Sequence, residues 1–551
     1  MVRTTPAGTP LGDSFHLYDT TLRDGAQREG ISYSVTDKLA VARLLDALGV
    51  GFIEGGWPGA LPKDTEFFAR AVAGELELTH AALVAFGSTR RAGLTAAQDP
   101  QVQALLAARA PVVTLVAKSD RRHIERALRV DVAEACAMVR DTVALLVAEG
   151  RRVFLDAEHF FDGYAFDADC SLQVLEAAVT AGADVAVLCD TNGGQLPLGL
   201  AETVAEVVAR TGFRVGIHCQ DDTACAVANS VAAVQAGATH VQCTANGYGE
   251  RTGNADLFAV TGNLATKLGM AVLPEPGMAE LTRTSHALAE IANLAPDTHQ
   301  AYVGRSAFAH KAGLHASAIK VDPELYNHLD PAVVGNSQRV LVTEMAGRAS
   351  IELKGAELGL DLAGRSAAVG AVAKRVKDLE SRGWSFEAAD ASFELLVRQE
   401  VDEVPPAPPF RLESYRVVAD HQADGDVVAQ ATVKVHVAGE RVIATAEGNG
   451  PVNALDGALR QALARHVPWL DVVELSDYKV RILPGTHGTD AVTRVLVDTS
   501  DGTGSWTTVG VHGNVVEASW LALVDAMTYA ALRHESPGAG YRAVAGHAGG
   551  R

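Results

Sequence analysis

Eight times within the first 250 residues, a short apolar run gives way to a polar turn and then to a helical pattern. The runs fall at 15–18, 50–53, 81–86, 111–117, 152–155, 183–188, 214–217 and 240–245. Helical periodicity separates them, for instance at 133–148, 172–181, 201–209 and 224–236. Thr36 reads as the cap of the first helix, which carries Leu39, Leu44, Leu45 and Leu48 and stops at Gly49. Strands of this buried type, alternating with helices, require a parallel sheet covered on both sides. Eight such units over this length specify an α/β fold, a closed (β/α)8 TIM barrel. A doubly wound sheet is the competing arrangement, but the turn after the first run lacks the glycine fingerprint that such a sheet uses.

Functional side chains collect where a barrel enzyme would put them, just beyond the carboxyl end of each run. They are Arg23 and Asp24, Glu54, Ser88 with Arg90 and Arg91, Lys118, Asp156 and Glu158, Asp190 with Thr191 and Asn192, His218 with Gln220, and Asn246. Arg23 offers a cation for an anionic substrate and Asp24 a carboxylate for a metal, although alone the pair also describes a surface ion pair. His218 and Gln220, two apart on a strand, share one face, the usual geometry for two metal ligands. The competing reading of His218 is a hydrogen-bonded core histidine. In a closed barrel the first and last strands are neighbours, so Asp24 can join the pair, which favours a metal.

A chain of 551 residues is too long for one ordinary core, and its formal net charge of −20 argues against nucleic acid or an anionic membrane as a partner. An anionic cofactor would need a basic patch built against that background. The six cysteines form no C-x-x-C pair and read as buried reduced thiols. No signal peptide opens the chain and no apolar run reaches membrane-spanning length, so a cytoplasmic protein is expected.

Six segments follow: a disordered 1–13, a catalytic barrel over 14–275, helical linker subdomains over 276–399, a Pro-rich linker at 400–410, a regulatory or dimerising domain over 411–535, and a flexible tail at 536–551. Within the linker region, His310, Lys311, His315 and Tyr326 cluster near a loop and offer acid/base groups, with a polar helix surface as the alternative. The last domain is an internal duplication: three strand-like runs and a helix at 415–465, then the same βββα order at 478–533. A glycine-rich turn with Asn453 or Asn514 opens each helix. Such turns could bind a carboxylate-bearing effector or be structural only.

Several of these stretches resemble the citramalate synthase branch of the 2-isopropylmalate/homocitrate synthase family. They include Asp19-Thr20-Thr21-Leu22-Arg23-Asp24-Gly25, Ile53-Glu54-Gly55-Gly56-Trp57-Pro58-Gly59, Asp190-Thr191-Asn192-Gly193-Gly194 and Ser306-Ala307-Phe308-Ala309-His310-Lys311. Asn246-Gly247-Tyr248-Gly249-Glu250-Arg251 and, near the C-terminus, Asn514-Val515-Val516-Glu517-Ala518-Ser519-Trp520 match as well. The resemblance implies a metal-dependent condensation of acetyl-CoA with a 2-oxo acid, pyruvate first, by a homodimer under an amino-acid effector such as isoleucine. It implies Asp24, His218, Gln220 and Asn254 as ligands of a divalent metal (Mg, Mn or Zn). Arg23 would hold the oxo acid and its developing alkoxide, with Glu54 and Thr191 also on the substrate. Glu158 would lie near the acetyl group, and His315 and Tyr326 would complete a neighbouring subunit's site. Arg90, Arg91 and Lys118 are assigned to the coenzyme A phosphates, with ordinary solvated cations as the alternative. Asn453 and Asn514 are assigned to the effector.

Two departures from the family pattern stand out. Gln220 occupies the place of a second barrel histidine, with Asp221 in place of the following Asn, and an amide oxygen is a neutral, harder and usually weaker ligand than imidazole. Three outcomes are open: a site shifted toward Mg²⁺ or Mn²⁺, a water-bridged metal, or a weakened enzyme. Ala117-Lys118-Ser119-Asp120 replaces the family's Gly-Lys-Ser-Trp, which leaves open a more polar 2-oxo acid. Competing classes are a carbon–carbon lyase, which would lack the duplicated C-terminal domain, and an effector-binding relic with an impaired metal site.

Overall fold

The computed structural model describes residues 12–343, 345, 347–362, 364–421, 425–483 and 491–535. Of the expected disordered termini, 1–11 and 536–551 lie outside these residues. Gly12 and Asp13, placed in the disordered segment by sequence, instead form a short 3-10 turn, Gly12–Ser14, and Asp13 pairs with Arg152 at 2.8 Å.

Eight strands close a parallel barrel: β1 (His16–Asp19), β2 (Phe52–Gly56), β3 (Ala82–Ser88), β4 (Val112–Lys118), β5 (Arg152–Glu158), β6 (Val185–Asp190), β7 (Val215–Cys219) and β8 (His240–Cys243). Closure is explicit in the register, since Tyr18 pairs with Phe52 on one side and Gln242 on the other. Period-two alternation sorts each strand into two sets. Leu17, Ile53, Val113, Leu155, Ile217 and Val241 turn outward and pack against the helices. Tyr18, Phe52, Val84, Val112, Phe154 and Val187 turn inward and fill the barrel. A fully buried Leu or Phe contributes about 1.5–3 kcal/mol, so these two layers carry most of the unit's stability.

The first helix, Val35–Leu48, is capped by Ser34 rather than Thr36: its hydroxyl accepts from the Asp37 amide while the Asp37 carboxylate accepts from the Ser34 amide. A reciprocal pair satisfies two orphan donors, which a lone threonine two residues later cannot do. At the barrel floor, Gly216 leaves room for His240, whose Cδ2 would lie 2.9 Å from a Cβ at that position.

The chain divides into two compact units at places the composition does not mark. One runs to Phe308 and takes back Leu329–Ser337; the other holds Ala309–His328 and the chain from Gln338 onward. Residues 276–308, expected in the linker subdomains, therefore belong with the barrel. In the second unit, helices Arg348–Glu357, Ser366–Ser381 and Asp390–Val401 precede two antiparallel three-stranded sheets. The first sheet (Arg411–His421, Val427–Val437, Glu440–Gly448) leads into helix Pro451–Leu463. The second (Glu474–Ile482, Thr493–Ser500, Ser505–His512) leads into helix Val515–Glu535. Against expectation, one segment of that last helix, Val515–His534, is long and apolar enough to cross a membrane. Its Ala518, Ala522 and Leu523 are instead buried against Val495 and Val497 of the second sheet.

Candidate active site

The inward residue one period above the barrel's apolar layer is polar on most strands, and these side chains meet across the interior. Glu54 stands above Phe52, Thr114 above Val112, Asp156 above Phe154, and Gln242 above His240. Glu54 is fully buried and accepts from three donors: the Tyr18 hydroxyl, the Thr20 hydroxyl, and Arg23 Nε at 2.7 Å. Tyr18 also shares a 2.8 Å hydrogen bond with Thr114.

The loop after β1 is shaped by its own side chains. Asp19 accepts from the Thr21 amide and hydroxyl, and the Thr21 hydroxyl accepts from the Ala245 amide. That turn points Arg23 and Asp24 over the barrel mouth. Arg23 donates to Asp24 Oδ2 at 2.9 Å, and its guanidinium lies 3.9 Å from the centre of the Phe86 ring. Burial disfavours the Arg23 charge, but Glu54, Asp24 and Asp156 more than compensate and raise its pKa, so it is a fixed cation.

Asp24 and His218 come within 3.8 Å, Oδ2 to Nε2. Two atoms each about 2.0–2.2 Å from a shared divalent ion are separated by no more than about 4.4 Å, so this spacing fits one ion between them. Gln220 Nε2 lies 3.4 Å from His218 Nε2, and Asn254 Nδ2 donates to Asp24 Oδ1 at 2.8 Å. A backbone bridge pairs Gln220 with Asn254, and Gly249 lets the loop close on them: a Cβ there would fall 2.1 Å from Asn254 Nδ2. Gln220 Oε1 and Asn254 Oδ1 are both buried without a hydrogen-bond partner. Burial pushes the Asp24 carboxyl up, yet Arg23, His218 and the two amides hold it below its ordinary value. An ionised carboxylate, an imidazole and two unpaired amide oxygens fit a divalent cation. No cluster of three or more His, Cys, Asp or Glu suited to a metal occurs among the described residues, so the set depends on its amides.

Gln242 belongs to the site although sequence reasoning passed over it. It is the register partner of His218 on the next strand, accepts from His218 Nδ1 at 2.8 Å, and donates to Asp156 Oδ1 at 2.8 Å. The period-two pattern continued from His240 was the signal that could have found it. Burial, with the Glu54 charge behind it, pushes the Asp156 carboxyl up to about 8 against the pull of Arg23.

Other expected residues are occupied differently. Glu158 is ion-paired to Lys118 at the rim, and the Thr191 hydroxyl accepts from the His159 amide at 2.8 Å. Arg90 does not join the rim: its buried guanidinium is held by Glu134 and Asp141, both at 2.8 Å, on helix Val132–Ala148. Arg91 pairs with the buried Asp99 at 3.2 Å. Beyond β4, Arg122, His123 and Arg126 line a cavity of about 650 Å³ with Asp162 and Asn192. In the second unit, His315 and Tyr326 stack at 4.2 Å with His310 6.1 Å from His315. Asn514 accepts from the Val516 and Glu517 amides and so caps its helix, while Asn453 accepts from the Asn449 amide. Only Asn514 acts as a cap: Asn453 lies within helix Pro451–Leu463, which Gly450 opens without a side-chain cap.

Known proteins match this chain along its length. The HMGL-like family model matches residues 14–293, a homocitrate synthase post-HMGL domain-like model matches 302–383, and a LeuA allosteric (dimerisation) domain model matches 387–531. An (R)-citramalate synthase from Streptomyces coelicolor is 63% identical, over 96% of this chain and 98% of that protein. One from Synechocystis is 48% identical over 94% of this chain and 96% of that protein. Another, from Aquifex aeolicus, is 44% identical over 96% of this chain and all of that protein.

Proposed function

The chain belongs to the HMGL-like family, in its citramalate synthase branch, and on that premise we propose that it condenses acetyl-CoA with pyruvate to give (R)-citramalate and free coenzyme A. The observation that carries this reading is the cluster of Arg23, Asp24 and His218 at one rim of a closed barrel, in a chain 63% identical to a protein of that name.

A divalent cation bound by Asp24, His218, Gln220 and Asn254 would supply Lewis-acid polarisation of the oxo acid's carbonyl. The remaining work belongs to the chain. A base takes a proton from the acetyl methyl group, and the resulting carbanion equivalent forms the new bond to C2 of pyruvate while that carbonyl's π electrons move onto oxygen. Arg23 remains charged throughout and is held on two carboxylates and an aromatic face, so it meets the developing alkoxide without reorganising. Once the alkoxide is protonated, water cleaves the thioester and the thiol departs, which makes the sequence effectively irreversible. Glu158 and Thr191 flank this space on β5 and after β6, and the Arg122–Arg126 cavity beside them suits the phosphates of coenzyme A better than Arg90 does.

The match over 387–531 supports a homodimer that answers to a small effector, with an amino acid as the leading class. Thiol release from acetyl-CoA, run against pyruvate and a panel of larger and more polar 2-oxo acids with product mass measured, tests the assignment. Pyruvate giving a product of citramalate mass is the expected result. A different preferred oxo acid would replace the substrate, and no release with any would overturn the reaction.

A further inference from the structure

We propose that Gln220 makes the rim site selective for an oxygen-preferring divalent cation of the Mg²⁺ or Mn²⁺ kind and weak for Zn²⁺. The inference rests on the condensation reading only in taking this to be a metal site.

The donor chemistry carries it. His218 can offer a single nitrogen, because its Nδ1 is committed to Gln242. The other ligating atoms these side chains own are oxygens: the Asp24 carboxylate, and Gln220 Oε1 and Asn254 Oδ1, each of which faces the site once its amide turns over from the orientation that sets Nε2 against His218 and Nδ2 against Asp24. The two amide oxygens are buried without a partner on residues joined by one backbone bridge, and a cation bound between the turned amides satisfies both. No thiol supplements them from this strand, since Cys219 between His218 and Gln220 turns to the opposite face and packs in the outer core. Zn²⁺ favours four-coordinate sites rich in nitrogen or sulfur, whereas Mg²⁺ and Mn²⁺ favour oxygen donors and larger shells that water and substrate can complete. One nitrogen and three oxygens therefore lean to the second class.

The test is metal binding to chelator-stripped full-length protein. Mn²⁺ is followed by loss of the free-ion paramagnetic resonance signal and Zn²⁺ by competition with a chromophoric chelator. Gln220→His should raise Zn²⁺ affinity about tenfold or more while Mn²⁺ affinity moves about threefold or less. Gln220→Glu, which keeps an oxygen donor and adds charge, should tighten Mn²⁺ and keep the preference, and it serves alone if the histidine variant does not fold. Equal shifts for both ions in Gln220→His, or Mn²⁺ affinity unchanged in Gln220→Glu, would remove Gln220 from the ligand set. The same preparations assayed for thiol release from acetyl-CoA and pyruvate separate the two ideas. Shifted selectivity without turnover sinks the reaction, and turnover with unmoved selectivity sinks this inference.

Discussion

Gln242 and His218 face each other across neighbouring strands, with the amide oxygen 2.8 Å from Nδ1. A carbonyl oxygen can only accept, so Nδ1 carries a proton and Nε2 is the nitrogen turned toward Asp24. The other end of the amide is anchored on Asp156, which fixes its orientation. Partners of this kind set the tautomer and angle of a ligating imidazole, and their loss typically costs 10–100-fold in metal affinity. Gln242→Leu should therefore weaken Mn²⁺ binding by about that factor in a calorimetric titration. Gln242→Glu retains an acceptor for Nδ1 and should recover most of it. A leucine variant that binds Mn²⁺ normally would show that His218 needs no such support.

Arg23 and Glu54 form a buried pair in which each partner is costly without the other. Removing the cation alone leaves Glu54 charged and fully buried, a change that typically costs about 3–5 kcal/mol. Arg23→Met should thus lower the urea midpoint markedly and also cut kcat by about 10²–10³ if the guanidinium meets the alkoxide. Adding Glu54→Gln should restore much of the stability and none of the rate. Recovery of both together would mean that Arg23 acts only as a counter-ion.

The barrel was legible because its strands are short, apolar on both faces and evenly interrupted, a pattern that leaves few architectures open. The rim residues were legible for a related reason: a polar side chain just past a buried strand is costly unless something uses it. What the sequence hid were partnerships across the barrel. Gln242 looks like any polar strand residue until the β7–β8 register brings it to His218. Arg90 looks like a rim cation until helix Val132–Ala148 supplies two carboxylates for it. The division at Phe308 was invisible because no proline- or glycine-rich stretch marks it, whereas the conspicuous prolines at 405–409 fall inside one compact unit.

The fate of Arg90 makes a negative prediction. All three nitrogens of its guanidinium are engaged, on Glu134, Asp141 and the Arg91 carbonyl, so that, unlike Arg23, whose bonds run from Nε and Nη1, it has no nitrogen left for a phosphate. Arg90→Ala should leave the KM for acetyl-CoA within about twofold of wild type while costing about 1–3 kcal/mol through lost charge-assisted hydrogen bonds. Arg126→Ala, at the cavity beyond β4, should raise that KM with the pyruvate KM unmoved. A reversed pattern in steady-state assays would return the coenzyme to Arg90.

The barrel floor makes the last prediction, and its sign follows from two buried histidines. His16 Nδ1 lies 3.2 Å from His240 Nδ1, and the pair is packed among Phe52, Phe154 and Tyr18. Burial lowers the pKa of His16 to about 4, helped by the charges of Arg214 and Arg152 and opposed by Asp13. His240, wholly buried beside His16 and both arginines, is also held well below its ordinary value. Both imidazoles are therefore neutral in the folded chain at pH 7, whereas in the unfolded chain they take up protons near 6.5. A depressed folded value gives stability that is full above 6.5 and lost as pH falls toward about 4. Each histidine contributes up to ~1.4 kcal/mol per pH unit over that window. Unfolding free energies from urea titrations at pH 7, 6, 5 and 4.5 should fall accordingly in the wild type. In His240→Asn the slope should be shallower by about one proton, since the amide keeps a polar partner for His16 but cannot titrate. Parallel slopes in the two proteins would locate the acid sensitivity elsewhere in the chain.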